Sequence, residues 1–315
     1  MGRFLFLILL VPALSACTSL PPPEGPWASP LYHEHPLVGS LWRVEDGQQV
    51  DEALLMQEMN ESTFLILGEK HDNPDHHALQ LHVLKRLLDA SSLATVSFEM
   101  LDSSQEEALR AVAGGPVLSD AALRTQLQWD EEGWDWSFYG PLLQEALGAG
   151  VPVHTANISR EQMMGVYGGE LDAAVEARLN EMQRQRLEQD IDESHCGMLP
   201  QSQFAAMVRV QQARDSVMAQ SLQSTVDLAG VHVLIAGNFH ARRDLGVPNY
   251  LTLDNGRDHG RLLSVAFLEV HPDALTLQEY LDSFSSTLPY DYVWFTPAVA
   301  TEDYCASLRG NAADQ

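Results

Sequence analysis

Apolar and polar positions along the chain keep two rhythms, and the switching between them predicts the elements. Short apolar runs at residues 64–67, 94–98, 151–156, 231–236 and 263–270 read as buried strands. Pro152 fits the third of them only near its start, because proline donates nothing to a strand ladder. Between the runs come stretches with helical period. One begins at Asn73-Pro74, an N-cap and first helical position, and runs to about Ala90; others cover 103–113, 119–127 and 138–148, the last stopped by Gly148 and Gly150. Strand and helix in alternation predict an α/β fold, with a mainly parallel sheet flanked by helices. Residues 159–228 are helical in pattern almost throughout, broken at Gly168-Gly169 and at 195–200. They are expected to form an inserted helical subdomain, a lid or flank over the carboxyl edge of a sheet built from 39–158 and 229–300.

The amino-terminal pattern differs. Met1-Gly2-Arg3 precedes an apolar stretch, 4–14, too short to span a bilayer but suited to a signal peptide over 1–16. Leu14-Ser15-Ala16-Cys17 forms a lipobox, so acylation of Cys17 would anchor the chain outside the cytoplasm. Thr18 stands where an inner-membrane retention signal would carry aspartate, which directs the expectation to the outer membrane, facing the periplasm. Residues 17–38 are proline-rich and are expected to act as a tether.

Charge narrows the partners. With 44 acidic against 18 basic residues, the formal net charge of −26 argues against nucleic acid and broad contact with anionic lipid. Apart from Cys17 the cysteines are Cys196 and Cys305, whose pairing the sequence leaves open.

Chemistry is densest where the first parallel strand ends. Glu69-Lys70-His71-Asp72-Asn73-Pro74-Asp75-His76-His77 puts a glutamate, three histidines and two aspartates into nine residues, between a strand's carboxyl end and a helix N-terminus, where open α/β sheets bind ligands. Glu99 ends a second strand, and His240, followed by Arg242, Arg243 and Asp244, ends a third. If these strands are neighbours, Glu69, His71, Glu99 and His240 converge, with Asp72 and Arg243 alongside. Such a set suits a divalent metal or an acid/base pair. His76 and His77 face different directions on their helix, so at most one joins, and His82 is expected to be structural or exposed. Trp129, Trp134 and Trp136 are expected to staple a loop to the core, a substrate-facing wall being the alternative.

Leu67-Gly68-Glu69-Lys70-His71-Asp72-Asn73-Pro74-Asp75-His76-His77, Ser97-Phe98-Glu99-Met100-Leu101, Trp134-Asp135-Trp136, Ala156-Asn157-Ile158-Ser159-Arg160 and the run from Ala236 to Pro248 resemble the ChaN-type haem-binding, iron-regulated lipoproteins over nearly all of 40–300. More distantly, Gly68-Glu69-Lys70-His71 and Gly237-Asn238-Phe239-His240 resemble the Gly-Glu-x-His and Gly-x-x-His motifs of the Tiki, TraB and erythromycin-esterase group. Phe239 stands where a small residue is usual and is expected to narrow the pocket.

The resemblance implies a lipoprotein of haem and iron uptake. It would bind ferric haem through a tyrosine at a homodimer interface, a histidine assisting from the partner chain, with haem-transport proteins as further partners. Tyr167, in Met163-Met164-Gly165-Val166-Tyr167-Gly168-Gly169, is the first choice for the tyrosine, with Tyr139, Tyr290 and Tyr292 as alternatives. His195 is the choice for the histidine. A functional class of a different kind, a metal-dependent hydrolase or protease using Glu69, His71, Glu99 and His240, stays open beside it.

Overall fold

Eight strands make one sheet in the computed structural model, which describes residues 25–251, 261–282, 284, 289–301 and 305. They are β1 (Leu41–Arg43), β2 (Gln48–Val50), β3 (Ser62–Glu69), β4 (Leu93–Asp102), β5 (Val153–Asn157), β6 (Val231–Gly237), β7 (Arg261–Glu269) and β8 (Tyr292–Thr296). Their order is β2-β1-β8-β7-β3-β6-β4-β5. From β8 to β5 every neighbouring pair is parallel, while β1 pairs antiparallel with both β8 and β2. The α/β fold with a mainly parallel sheet is thus present. The helices are α1 (Glu52–Asn60), α2 (Pro74–Asp89), α3 (Glu106–Val112), α4 (Asp120–Leu127), α5 (Trp136–Gly148), α6 (Arg160–Gly168), α7 (Ala173–Glu176), α8 (Glu181–Ser194), α9 (Phe204–Gln223), α10 (Asn238–Ala241) and α11 (Leu277–Leu281).

Both faces of the sheet are covered, which is why its strands read as continuous apolar runs rather than alternating ones. In β3, Leu65 and Leu67 point to one face with Leu79, Val83, Leu142 and Leu143 of α2 and α5. Phe64 and Ile66 point to the other, with Leu187 of α8 and Val208, Met218 and Leu222 of α9. The inserted helical segment is therefore not a detached lid. Its last helix, α9, belongs to the core, whereas α6 and α7 have no buried residue.

Local signals explain the boundaries near the site. Asn73 caps α2 by accepting from the N–H groups of Asp75 and His76, with Pro74 at the first turn. Gly68 lets α10 approach β3: a Cβ there would lie 2.7 Å from both Ala241 Cβ and Asn238 Oδ1.

The chain joins the domain earlier than residue 39. The buried Asp75 carboxylate accepts from Ala28 N–H at 2.8 Å and Ser29 N–H at 2.9 Å, Leu31 bridges Ala298, and Leu37 and Val38 are buried. A proline-rich segment has little apolar pattern, and here its backbone donors are satisfied by a distant carboxylate. Cys17 and the expected signal peptide lie outside the described residues. Cys196 and Cys305 form a disulfide, with 5.2 Å between their Cα atoms.

Candidate functional site

Glu69, His71, Glu99 and His240 meet at the carboxyl edge of the sheet, over adjacent β3, β6 and β4. Two carboxylate–imidazole pairs face each other there. In the first, His71 Nδ1 stands 2.7 Å from Glu69 Oε1, and the Tyr139 hydroxyl of α5 donates to the same oxygen at 3.0 Å. Glu69 is buried and its Oε2 has no hydrogen-bond partner; His77 Nε2 is 3.9 Å away and donates to the His71 carbonyl instead. The His71 side chain is 42% exposed and forms the rim. Trp134 meets its ring edge-on at 4.9 Å between centroids.

The second pair is fully buried. His240 Nδ1 lies 2.5 Å from Asp215 Oδ1, and its Nε2 lies 3.3 Å from Glu99 Oε1. Arg214 Nη2 donates to Glu99 Oε1 at 2.6 Å, and Gly237 N–H donates to Oε2 at 2.8 Å. Arg214 Nε donates to Asn157 Oδ1 at 3.1 Å, and Asn157 Nδ2 donates to the Glu99 carbonyl at 2.9 Å, so β5 braces the same group. Gly237 joins the two pairs, because the His71 ring packs over its Cα.

Electrostatics follow from this packing. Burial opposes a charge on His240, but Glu99 and Asp215 on either side outweigh it and push the imidazole up to about 9. Burial alone would raise Glu99, yet the charges of His240 and Arg214 hold it well below the usual carboxylate range. Burial pushes Asp215 up, the neighbouring cations offsetting it only in part. For His71, desolvation is outweighed by the bond and charge of Glu69, which leave it above an ordinary histidine. Burial beside Glu69 also raises Tyr139, which keeps its phenol neutral. The outcome is a charged His240 in the interior and a His71 able to exchange protons at the mouth, a division suited to acid/base work.

Expectations for the surrounding residues are corrected in several places. Among the described residues no group of three or more His, Cys, Asp or Glu is arranged to hold a metal ion; the expected set is engaged pairwise, and Arg214 takes one side of Glu99. Asp72 turns outward to Lys70 Nζ at 2.8 Å. Arg243 pairs with Asp291 at 2.7 Å and touches the Leu262 carbonyl, toward the start of β7, away from the cluster. Phe239 does not narrow the pocket: the residue is 54% exposed, because α10 turns His240 inward and its neighbour outward. His76 is structural, accepting from Lys70 N–H and reaching Thr296, and His82 pairs with Glu52. Trp129 and Trp136 are buried together, while Trp134 faces the site.

Arg214 and Asp215 escaped the sequence reading, and Tyr139 was weighed there only as a haem ligand. Asp215 had a usable signal. It occupies the stripe Val208-Gln212-Asp215-Ala219-Leu222 of α9, all buried, and an acid inside an apolar stripe requires a partner.

Of the haem-ligand choices Tyr139 belongs to this cluster, and the others lie outside it. Tyr139, Tyr290 and Tyr292 are buried, Tyr290 donating to the Asn238 carbonyl at 3.2 Å. Tyr167 is half-buried on α6, where Met164 is 56% exposed. Arg209 of α9 donates to the Tyr167 carbonyl at 3.0 Å, fixing that helix end. His195 caps the carboxyl end of α8, half-buried.

A model of the family described as haem-binding uptake, Tiki superfamily, ChaN, matches residues 55–251. Among solved structures, the ChaN protein of Campylobacter jejuni, solved with cofacially bound haem, is similar at a TM-score of 0.66 and 20% identity, covering 81% of this chain and 95% of that one. A mutant of the erythromycin esterase EreC in its open conformation is similar at a TM-score of 0.47 and 12% identity, covering 84% of this chain and 99% of that one. The first shows the fold. No curated protein matches the sequence.

Proposed function

The chain belongs to the haem-binding uptake family of the Tiki superfamily, ChaN, and from that premise we propose that it binds ferric haem through Tyr167, between two copies of the chain, with His195 of α8 assisting from the second copy. One observation carries the choice of ligand. Of the four tyrosines weighed, Tyr167 is the one left partly open, on a helix with no buried residue beside the exposed Met164. A phenolate is a hard anionic donor that holds ferric iron, and methionine side chains adapt to a flat apolar face. Acylated Cys17 would tether the protein to the outer membrane, facing the periplasm, in reach of other haem-transport proteins.

The test is a haem titration followed by visible absorption, with a Tyr167→Phe variant beside the parent. The expected result is a saturable spectrum of tyrosine-ligated ferric haem that the variant loses. Absence of saturable binding by the parent would overturn the proposal.

A second reading has its own support. The buried Oε2 of Glu69, without a hydrogen-bond partner, and the rim position of His71 favour acid/base hydrolysis at the sheet edge. Hydrolysis of ester or peptide probes that disappears in Glu69→Gln while haem titration is unchanged would support it.

A further inference from the structure

His195 ends α8, and the two residues after it complete a Schellman turn: Cys196 N–H donates to the Glu193 carbonyl at 2.9 Å and Gly197 N–H to the Asp192 carbonyl at 2.9 Å. The left-handed position of such a turn usually holds glycine, because an L side chain is strained there. Here it holds Cys196 at φ 61°, with glycine only at the next residue. The side chain accounts for this exception, since it is bonded to Cys305, 109 residues away. The same turn sets the imidazole. His195 Nδ1 lies 2.7 Å from the Ile191 carbonyl, and a carbonyl only accepts, so this bond puts a proton on Nδ1 and leaves Nε2 as the ring nitrogen through which the imidazole can donate a lone pair. Ser194 Oγ donates to that carbonyl at 2.9 Å and stands 3.2 Å from Nδ1, so it can accept from the same N–H. A backbone carbonyl holding one ring N–H is the arrangement that orients metal-binding imidazoles through the other nitrogen.

We infer that the Cys196–Cys305 disulfide is a positioning element for haem capture: it locks the turn behind His195 and presets Nε2 as the donor to iron. The inference rests on the reading of His195 as the assisting ligand. Without the bond, a few backbone hydrogen bonds alone hold a non-glycine residue in a left-handed conformation, and the ring loses its fixed relation to Ile191.

The test compares the parent with a Cys196→Ser/Cys305→Ser variant, both thiols being removed so that neither can take the iron. His195→Ala is made in each background. Nitrogen NMR of the haem-free proteins reads the ring directly; the parent is expected to show the Nδ1–H tautomer at His195, and the double variant a mixture. In haem titrations the double variant should lose affinity roughly tenfold, the scale of removing support from a ligating histidine, and adding His195→Ala to it should weaken binding by less than the same substitution does in the parent. An unaltered Nδ1–H tautomer in the double variant overturns the inference, as does parent-like affinity where His195→Ala alone weakens binding. If no form binds haem, the functional reading falls, while the NMR comparison still decides whether the disulfide sets the ring.

Discussion

The imidazole of His71 fills the space that a side chain on Gly237 would take: a Cβ there would lie 2.9 Å from Nε2 and 3.1 Å from Cε1. Gly237 has φ −62° and ψ 153°, a conformation open to any residue, so glycine is required for room rather than for backbone freedom. Gly237→Ala is expected to leave the fold intact and push His71 away from Glu69. Because Glu69 is what raises the His71 imidazole, an NMR titration should show its pKa falling toward the ordinary value. The melting midpoint should move by no more than about 4 °C. An unchanged His71 titration would show that the ring is not confined by Gly237.

The buried His240 makes stability depend on pH in a definite direction. Its folded pKa is raised, so its contribution is complete below the unfolded value of 6.5 and is lost as pH rises through about 9. Unfolding free energy by denaturant should fall between these limits by on the order of 3 kcal/mol. Asp215, raised by burial, acts in the same direction at lower pH, whereas Glu99, depressed by His240 and Arg214, stabilises above its unfolded pKa and is lost only in acid. His240→Gln should flatten the alkaline step, and a step that persisted in that variant would assign it to another group.

Two adjacent arginines should differ in what their loss costs. Arg242 is buried, bonded to Asp190 at 2.7 Å and to both oxygens of Asp244, under the ring of Phe284. Removing it takes the guanidinium from two buried carboxylates, Asp190 keeping Arg186 Nε at 2.9 Å, so Arg242→Met is expected to cost about 3 kcal/mol. The Arg243 side chain is 36% exposed in its pair with Asp291, so Arg243→Met should cost no more than about 1 kcal/mol. Equal losses in denaturant unfolding would contradict this assignment of burial.

Elements with strong local rules were legible in the sequence. The Asn73-Pro74 start of α2 followed from capping chemistry, and the doubly covered strands from their unbroken apolar runs. What was hidden depends on distant partners. β1 and β2 are three-residue strands at one side of the sheet, too short for periodicity, and residues 28 and 29 are held by a carboxylate far along the chain. Glu69, His71 and His240 could be gathered because each ends a strand or follows one, whereas Glu99, expected at a strand end, lies just past the last pairing of β4 with β6 while the strand runs on to Asp102. Arg214 and Asp215 come from a helix in the insertion and carry no strand-end mark, so only the sheet-facing register of α9 brings them in. Arg243 shows the converse: proximity to His240 in sequence suggested a shared site, but a turn separates their directions.

Helix α9 touches both proposed sites, and that makes their independence measurable. Arg209 holds the carbonyls of Val166 and Tyr167, while Gln211, Arg214 and Asp215 of the same helix face His240 or Glu99. Substitutions without shared partners act additively to within a few tenths of a kcal/mol. If iron is held at α6, His240→Gln should therefore leave haem affinity within about twofold while removing the alkaline step in stability. Tyr167→Phe should do the reverse. Loss of haem binding in His240→Gln, with α6 undisturbed by hydrogen exchange, would move the iron to the sheet edge and merge the two sites. A smaller but equal effect of His240→Gln and Arg209→Ala on haem affinity would instead identify α9 as the element that couples them.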